Sequence, residues 1–299
     1  MSATVTANQF ALLPNGTRLH YASAGQPGKP LLLFLHGFPE CWFAWEQQLQ
    51  YFGDDYFVVA PDLRGFNLSA MPADRAAYKA RHIVDDVQLL IAHLGYHDCV
   101  LIAHDWGGAI AWNVALALPQ LLRRLIIINA PHPYLFMLAL AHDPQQQAAS
   151  AYMNWLRADG AEDVLAKDDF KLMDGFFTGL GVATETWFTV AVRERYHACW
   201  RKGLHGGLNY YRASPLYPPI GDDPGARRLI DAMQPADYLI TVSTAVIWGM
   251  ADTALPATLL DGLDRFVLDL EIEQVVGCSH WIVHEQAEKI NHLIGSFLA

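Results

Sequence analysis

The sequence predicts an α/β fold: a mostly parallel sheet flanked by helices, with a helical block inserted into it. Three observations carry that expectation. Short apolar runs such as Leu31–Leu35 alternate with stretches of helical periodicity, the pattern of a sheet buried on both faces. Residues 134–235 interrupt the alternation and read as helices only. After them, strands and helices alternate again. The 299 residues suffice for one large domain with an insertion: core 1–133, helical cap 134–235, core 236–299.

The elements follow in order. Residues 8–25 alternate apolar and polar around Pro14-Asn15-Gly16, which predicts a hairpin. A loop over 25–30 leads into the buried strand 31–35 and then His36-Gly37-Phe38-Pro39-Glu40, a tight turn that a cis Phe38–Pro39 bond would suit. A short helix is expected over 42–51 and a strand over 56–60, ended by Pro61-Asp62-Leu63-Arg64-Gly65. Over 78–95, Ile83, Val87, Leu90, Ile91 and Leu94 share one helical face, and Asp85-Asp86 reads as its solvated side. A strand and helix around residue 105 come next, then a strand over 125–129 stopped by Ala130-Pro131-His132-Pro133. The block reads as helices over 134–142, 147–158, about 161–176, 183–201 and 204–212, then a proline-rich stretch over 214–224. A strand over 244–249, a helix near 256–262, a strand near 268–276 and a helix from His284 complete the chain.

Composition narrows the function. Hydrophobic residues make up 53% and charged residues 17%, which supports a large core and argues against disorder. A net charge of −11 without a basic run disfavours nucleic acid and anionic membranes as partners. The first residues lack the basic and apolar regions of a signal peptide, and no charge-free apolar run approaches bilayer length, so a cytoplasmic protein is expected. Cys41, Cys99, Cys199 and Cys278 fit no zinc or CxxC spacing and are expected as free thiols. His284-Glu285 lacks the HExxH spacing of a zincin. With no phosphate loop or dinucleotide fingerprint either, neither metal nor cofactor is implied.

The chemistry centres on Val100-Leu101-Ile102-Ala103-His104-Asp105-Trp106-Gly107-Gly108-Ala109. An apolar run meets a polar residue flanked by small ones, and helical spacing follows. That is the pattern of a nucleophile elbow, with Ala103 and Gly107 kept small by the sharp turn. A carboxylate at its centre, Asp105, attacks carbon bearing a leaving group and forms an ester. Alone, Asp105 reads equally well as a helix N-cap. The rest of the chain decides. An ester needs a base, an orienter for it and oxyanion donors, each at a strand's C-terminal end. His280, beyond the last strand, is the base candidate. Asp252, after the preceding strand, is its orienter, giving the chain order nucleophile, acid, histidine. The backbone N–H groups of Trp106 and Phe38 are the oxyanion donors.

His36-Gly37-Phe38-Pro39-Glu40, Asp62-Leu63-Arg64-Gly65, His104-Asp105-Trp106-Gly107-Gly108, Asn129-Ala130-Pro131-His132-Pro133 and Ser279-His280-Trp281 together resemble the α/β-hydrolase superfamily, and within it the epoxide hydrolase branch. The resemblance spans essentially the whole chain. It implies an α/β-hydrolase fold and conversion of an epoxide to a vicinal diol through an ester on Asp105. It also implies two cap tyrosines that donate to the epoxide oxygen. Leu208-Asn209-Tyr210-Tyr211-Arg212 is similar to the family's Asn-aromatic-Tyr-Arg segment and points to Tyr211. Tyr152-Met153-Asn154-Trp155-Leu156 resembles the other segment and points to Tyr152. Tyr210 and Tyr196 are the reserves. Haloalkane dehalogenases share the fold but usually carry Asn where this chain has Phe38, and fluoroacetate dehalogenases carry Arg where it has Trp106. A non-catalytic ligand-binding protein of this fold would be marked by a missing triad member, and none is missing. Phe38, Trp106, Trp155 and Trp281 are expected to line the pocket, favouring an apolar or aromatic epoxide. The partners implied are that small molecule and water, and an apolar cap would support a homodimer.

Overall fold

A computed structural model describes residues 3–179 and 187–299. Eight strands form one sheet: β1 (Val5–Leu12), β2 (Arg18–Ala24), β3 (Leu31–Leu35), β4 (Phe57–Pro61), β5 (Cys99–His104), β6 (Leu122–Ile128), β7 (Thr244–Gly249) and β8 (Leu270–Val275). Their order is β1-β2-β4-β3-β5-β6-β7-β8, with β3 to β8 all parallel and β2 antiparallel to both β1 and β4. The β1–β2 hairpin turns at Gly16, whose φ of +82° suits glycine.

Alternation along the central strands divides the core. Leu31, Leu33 and Leu35 of β3 face one layer, while Leu32 and Phe34 face the other. The first layer packs on α2 (Ala80–His93) and α3 (Asp105–Ala117). The second packs on α1 (Glu46–Phe52) and the C-terminal α12 (Ala287–Leu298). Ile83, Val87, Leu90 and Ile91 of α2 are buried as the periodicity requires. Asp86 corrects the expectation for Asp85-Asp86. Asp85 is exposed, but Asp86 lies three residues after Ile83 on the inward face. Its buried carboxylate accepts from Arg64 Nη2 at 2.6 Å, Arg64 Nε at 2.7 Å and Asn15 Nδ2 at 2.8 Å. Arg64 comes from the loop after β4, so local sequence could not reveal the pair.

Between β6 and β7 lie α4 (Pro133–His142), α5 (Pro144–Ala149), α6 (Ala151–Leu156), α7 (Ala161–Leu165), α8 (Lys167–Gly179), α9 (Val190–Trp200) and α10 (His205–Ala213). They are more broken than the sequence suggests. The expected helix over 147–158 is split at Ser150, whose hydroxyl accepts from Gln146 Nε2. The one over 161–176 is interrupted by Asp168, Asp169 and Phe170, all left-handed. The expected start of a helix at 183 lies outside the described residues, and α9 is described from Val190. Near 256–262 there are two 3-10 turns instead of a helix, separated where Gly262 takes φ +77°. α11 (Ile282–Glu285) precedes α12. Among the described residues, no helix is long and apolar enough to cross a membrane, and all four cysteines are free.

Candidate active site

Strand register brings the site together. Leu35 of β3 pairs with Ala103 of β5, His104 with Ile128 of β6, and Ile128 with Ile247 of β7. The loops leaving β3, β5, β6, β7 and β8 therefore meet at one edge of the sheet, the edge where ligands bind in open α/β sheets. They carry Phe38, Asp105, Asn129, Asp252 and His280.

Asp105 opens α3 with φ +50°, a conformation that strains a non-glycine residue. Its neighbours enforce the turn. A Cβ on Gly107 would stand 2.3 Å from the Leu35 carbonyl oxygen, and one on Gly37 would stand 2.3 Å from Asp105 Oδ1. Phe38 N–H, beside a cis Phe38–Pro39 bond, donates to Asp105 Oδ1 at 2.7 Å. The N–H of Trp106 lies in the first turn of α3, where no intrahelical acceptor exists.

His280 sits between two carboxylates. Its Nδ1 donates to Asp252 Oδ2 at 2.7 Å, and its Nε2 lies 3.5 Å from Asp105 Oδ2. Burial opposes charge on the ring, but Asp252 and Asp105 outweigh it and push the pKa up to about 10. The same pairing holds Asp105 below the usual carboxylate range against its own burial. Asp252 is held from both sides. Its Oδ1 accepts from the N–H groups of Ala254 and Leu255, each at 2.9 Å, and its Oδ2 also accepts from Asn129 Nδ2 at 2.8 Å. Capping the local turn and orienting His280 are thus compatible uses of one carboxylate.

Above Asp105 is a cavity of about 240 Å³, lined in part by Trp106, Tyr152, Tyr210 and Tyr211. Trp106 and Tyr211 meet edge-on at 5.0 Å, and the Tyr152 and Tyr211 ring centres are 6.2 Å apart. Burial and the nearby Asp105 charge raise both phenol pKa values. Both phenols therefore keep their protons at neutral pH. The reserve tyrosines are committed elsewhere: Tyr210 donates to the Arg64 carbonyl at 3.0 Å and Tyr196 to Glu40 Oε1 at 3.3 Å.

Of the four residues expected in the pocket, only Trp106 lines this cavity. Phe38 lends its backbone but turns its ring edge-on to Tyr211 and Phe176. Trp281 packs behind His280, 1% exposed. Trp155 is 40% exposed on the surface of the block. Three further residues support the site although the sequence reading gave them no role. Asn129 bonds Asp252. His104 Nε2 donates to the His280 carbonyl at 2.9 Å, and its Nδ1 meets Glu40 Oε2 at 3.2 Å. Burial would raise the pKa of Glu40, but His104 and His284 hold it well below the usual range. Glu40 and His104 both stand in the quoted motifs, but their contact spans 64 residues of chain.

The family described as alpha/beta hydrolase fold matches residues 30–287. The chain is 32% identical over 291 residues to Epoxide hydrolase 4 of Mus musculus, covering 95% of this chain and 77% of that protein. It is 34% identical over 289 residues to AB hydrolase superfamily protein YfhM of Bacillus subtilis (strain 168), covering 95% of each. The crystal structure of a Bacillus megaterium epoxide hydrolase in complex with an inhibitor superposes with a TM-score of 0.86 at 32% identity, covering 97% of this chain and 99% of that one. The chain belongs to the α/β-hydrolase superfamily and, within it, to the epoxide hydrolase branch.

Proposed function

We propose that the protein hydrolyses apolar or aromatic epoxides to vicinal diols through a covalent ester on Asp105. The observation that carries this is the placement of Asp105. It stands on a strained elbow under a cavity, 3.5 Å from His280 Nε2, with two protonated phenols nearby. Asp105 attacks an epoxide carbon and the carbon–oxygen bond of the ring breaks. Tyr211 and Tyr152 donate to the departing oxygen, which becomes a hydroxyl. The hydroxyalkyl ester leaves Asp105 uncharged, so His280 loses one of the two charges that hold its proton. That proton returns to the tyrosine pair. Neutral His280, oriented by Asp252, then takes a proton from water as the water oxygen adds to the ester carbonyl. Phe38 and Trp106 N–H groups hold the oxyanion until it collapses, releasing diol and the Asp105 carboxylate. In this reading the helices over 134–235 act as a cap on a core of residues 1–133 and 236–299.

The test is a single turnover of styrene oxide by excess enzyme in ¹⁸O-water. The expected result is one ¹⁸O in the peptide containing Asp105 and none in the diol, because water attacks the acyl carbon. An Asp105→Asn variant should form no diol, and His280→Ala should accumulate the ester mass. Label in the diol with Asp105 unlabelled would mean direct attack by water and would overturn the ester.

A further inference from the structure

The cavity does not stop at the tyrosines. It follows α3 from Asp105 past Ala109 to Asn113, eight residues on, or about 12 Å along the helix axis at 1.5 Å per residue. Along that path it is apolar. Asp105 is the only charged side chain among the described residues lining it, so a carboxylate on a ligand would meet no counter-ion, and an ammonium none away from Asp105.

Asn113 is the exception on α3. Between Asp105 and its end the helix consists of Trp, Gly, Ala, Ile, Val and Leu apart from this one amide. Asn is a poor helix former, because its side chain competes for backbone hydrogen bonds, so nothing in the helix itself favours it here. Its Nδ2 donates to the Ala109 carbonyl at 2.7 Å, which folds the side chain back towards the Asp105 end. The second Nδ2 hydrogen and the Oδ1 acceptor have no partner among the described residues. Two other polar groups on the cavity wall each hold one hydrogen bond within the protein. The Tyr78 hydroxyl donates to the Pro72 carbonyl, and Ser214 Oγ accepts from Leu216 N–H. Tyr238, half-exposed, and the Ser214 O–H, which has no acceptor among the described residues, are competing hydroxyls on the same cavity wall.

We propose that Asn113 forms a second recognition point, bonding an uncharged hydroxyl, ether or carbonyl on the substrate's tail while the epoxide lies at Asp105. The substrates are then neutral epoxides with an apolar midsection and a hydrogen-bonding group at its far end. This rests on the epoxide reading for the direction in which a ligand lies.

Two glycidyl ethers that differ only at the tail test it: 4-(2-hydroxyethyl)phenyl glycidyl ether and its 4-propylphenyl counterpart. The readout is the ratio of their kcat/KM values and, independently of turnover, the ratio of the dissociation constants of their two diols measured by calorimetry. In both Asn113→Leu and Asn113→Ala, checked for cooperative unfolding, preference for the hydroxyl member should fall roughly 2- to 10-fold, the effect of one net hydrogen bond. A 4-(2-carboxyethyl)phenyl analogue should be the poorest of the three substrates. An unchanged ratio in both folded variants, loss of the preference in Tyr238→Phe alone, or a preference for the carboxylate would each overturn the proposal. If wild type turns over neither ether while its diol affinities still depend on Asn113, the recognition point stands and the epoxide reading falls.

Discussion

One imidazole between two carboxylates sets the chemistry at the scale of single residues. In the resting site, Asp252 and Asp105 keep His280 charged, and an imidazolium cannot take a proton from water. In the proposed mechanism, esterification would remove the Asp105 charge, so its first half would prepare the base for the second. Asp105→Asn imitates that loss. We expect His280, followed by imidazole NMR, to titrate near 10 in wild type and roughly one to three pH units lower in the variant. An unchanged titration would show that Asp252 alone holds the proton. The same group affects stability. Its folded pKa lies above the ordinary value of 6.5, so its contribution is fully present below 6.5 and is lost as pH rises through 10. The loss is at most about 1.4 kcal/mol per pH unit in urea unfolding, and it should be smaller in the variant. The pairing of Asp252 with His280 was legible in the sequence because each follows a strand and the loops of neighbouring strands meet at one edge. Asn129 was not. Its amide meets Asp252 only across the β6–β7 pairing, 123 residues away in the chain.

At the scale of elements, the elbow depends on glycines as much as on Asp105. Gly107 lets α3 start directly against β3, and Gly37 lets the β3 loop pass over the Asp105 side chain. The obstacle at Gly107 is the backbone carbonyl of Leu35, the last residue of β3, which is held by the strand and cannot rotate away. Gly107→Ala should cost about 1–3 kcal/mol of unfolding free energy and should also displace Asp105. A variant with wild-type unfolding and wild-type turnover would show that the β3–α3 contact is looser than described. The smallness of Gly107 was readable in advance, because a sharp strand-to-helix turn demands it; that of Gly37 was not, because it comes from contact with Asp105, 68 residues on. The breaks in the helical block were not. At Asp168-Asp169-Phe170 helical composition continues through the interruption, so periodicity carries no trace of it. There, His197 of α9 and Arg201 just after it lie against Asp169, a contact that only the folded block supplies.

Across the whole molecule, the helical block is attached to the sheet through aromatic rings, and Trp281 is one of the core's contributions, beside Phe38 and Trp106. Its ring lies 4.7 Å from Phe177 and 4.8 Å from His280, and its Nε1 donates to the Phe176 carbonyl at 2.9 Å. Tyr196 and Trp200 extend the cluster from α9, and the Trp200 indole donates to the Pro39 carbonyl at 2.7 Å. The sequence expectation placed Trp281, next to His280, in the pocket. Adjacent residues diverge, however, so the ring falls behind the base and joins base to block. Truncating this side chain removes a buried indole and leaves a backbone carbonyl without its donor. Trp281→Ala should therefore lose about 3–5 kcal/mol in urea unfolding. Trp155→Ala, made on a surface ring of equal size, should lose far less, since water already covers much of that side chain. Equal losses from the two variants would mean that the aromatic cluster does not hold block and sheet together. A loss confined to Trp281, with turnover falling in parallel, would tie the anchoring of the block to the orientation of His280, because one ring touches both.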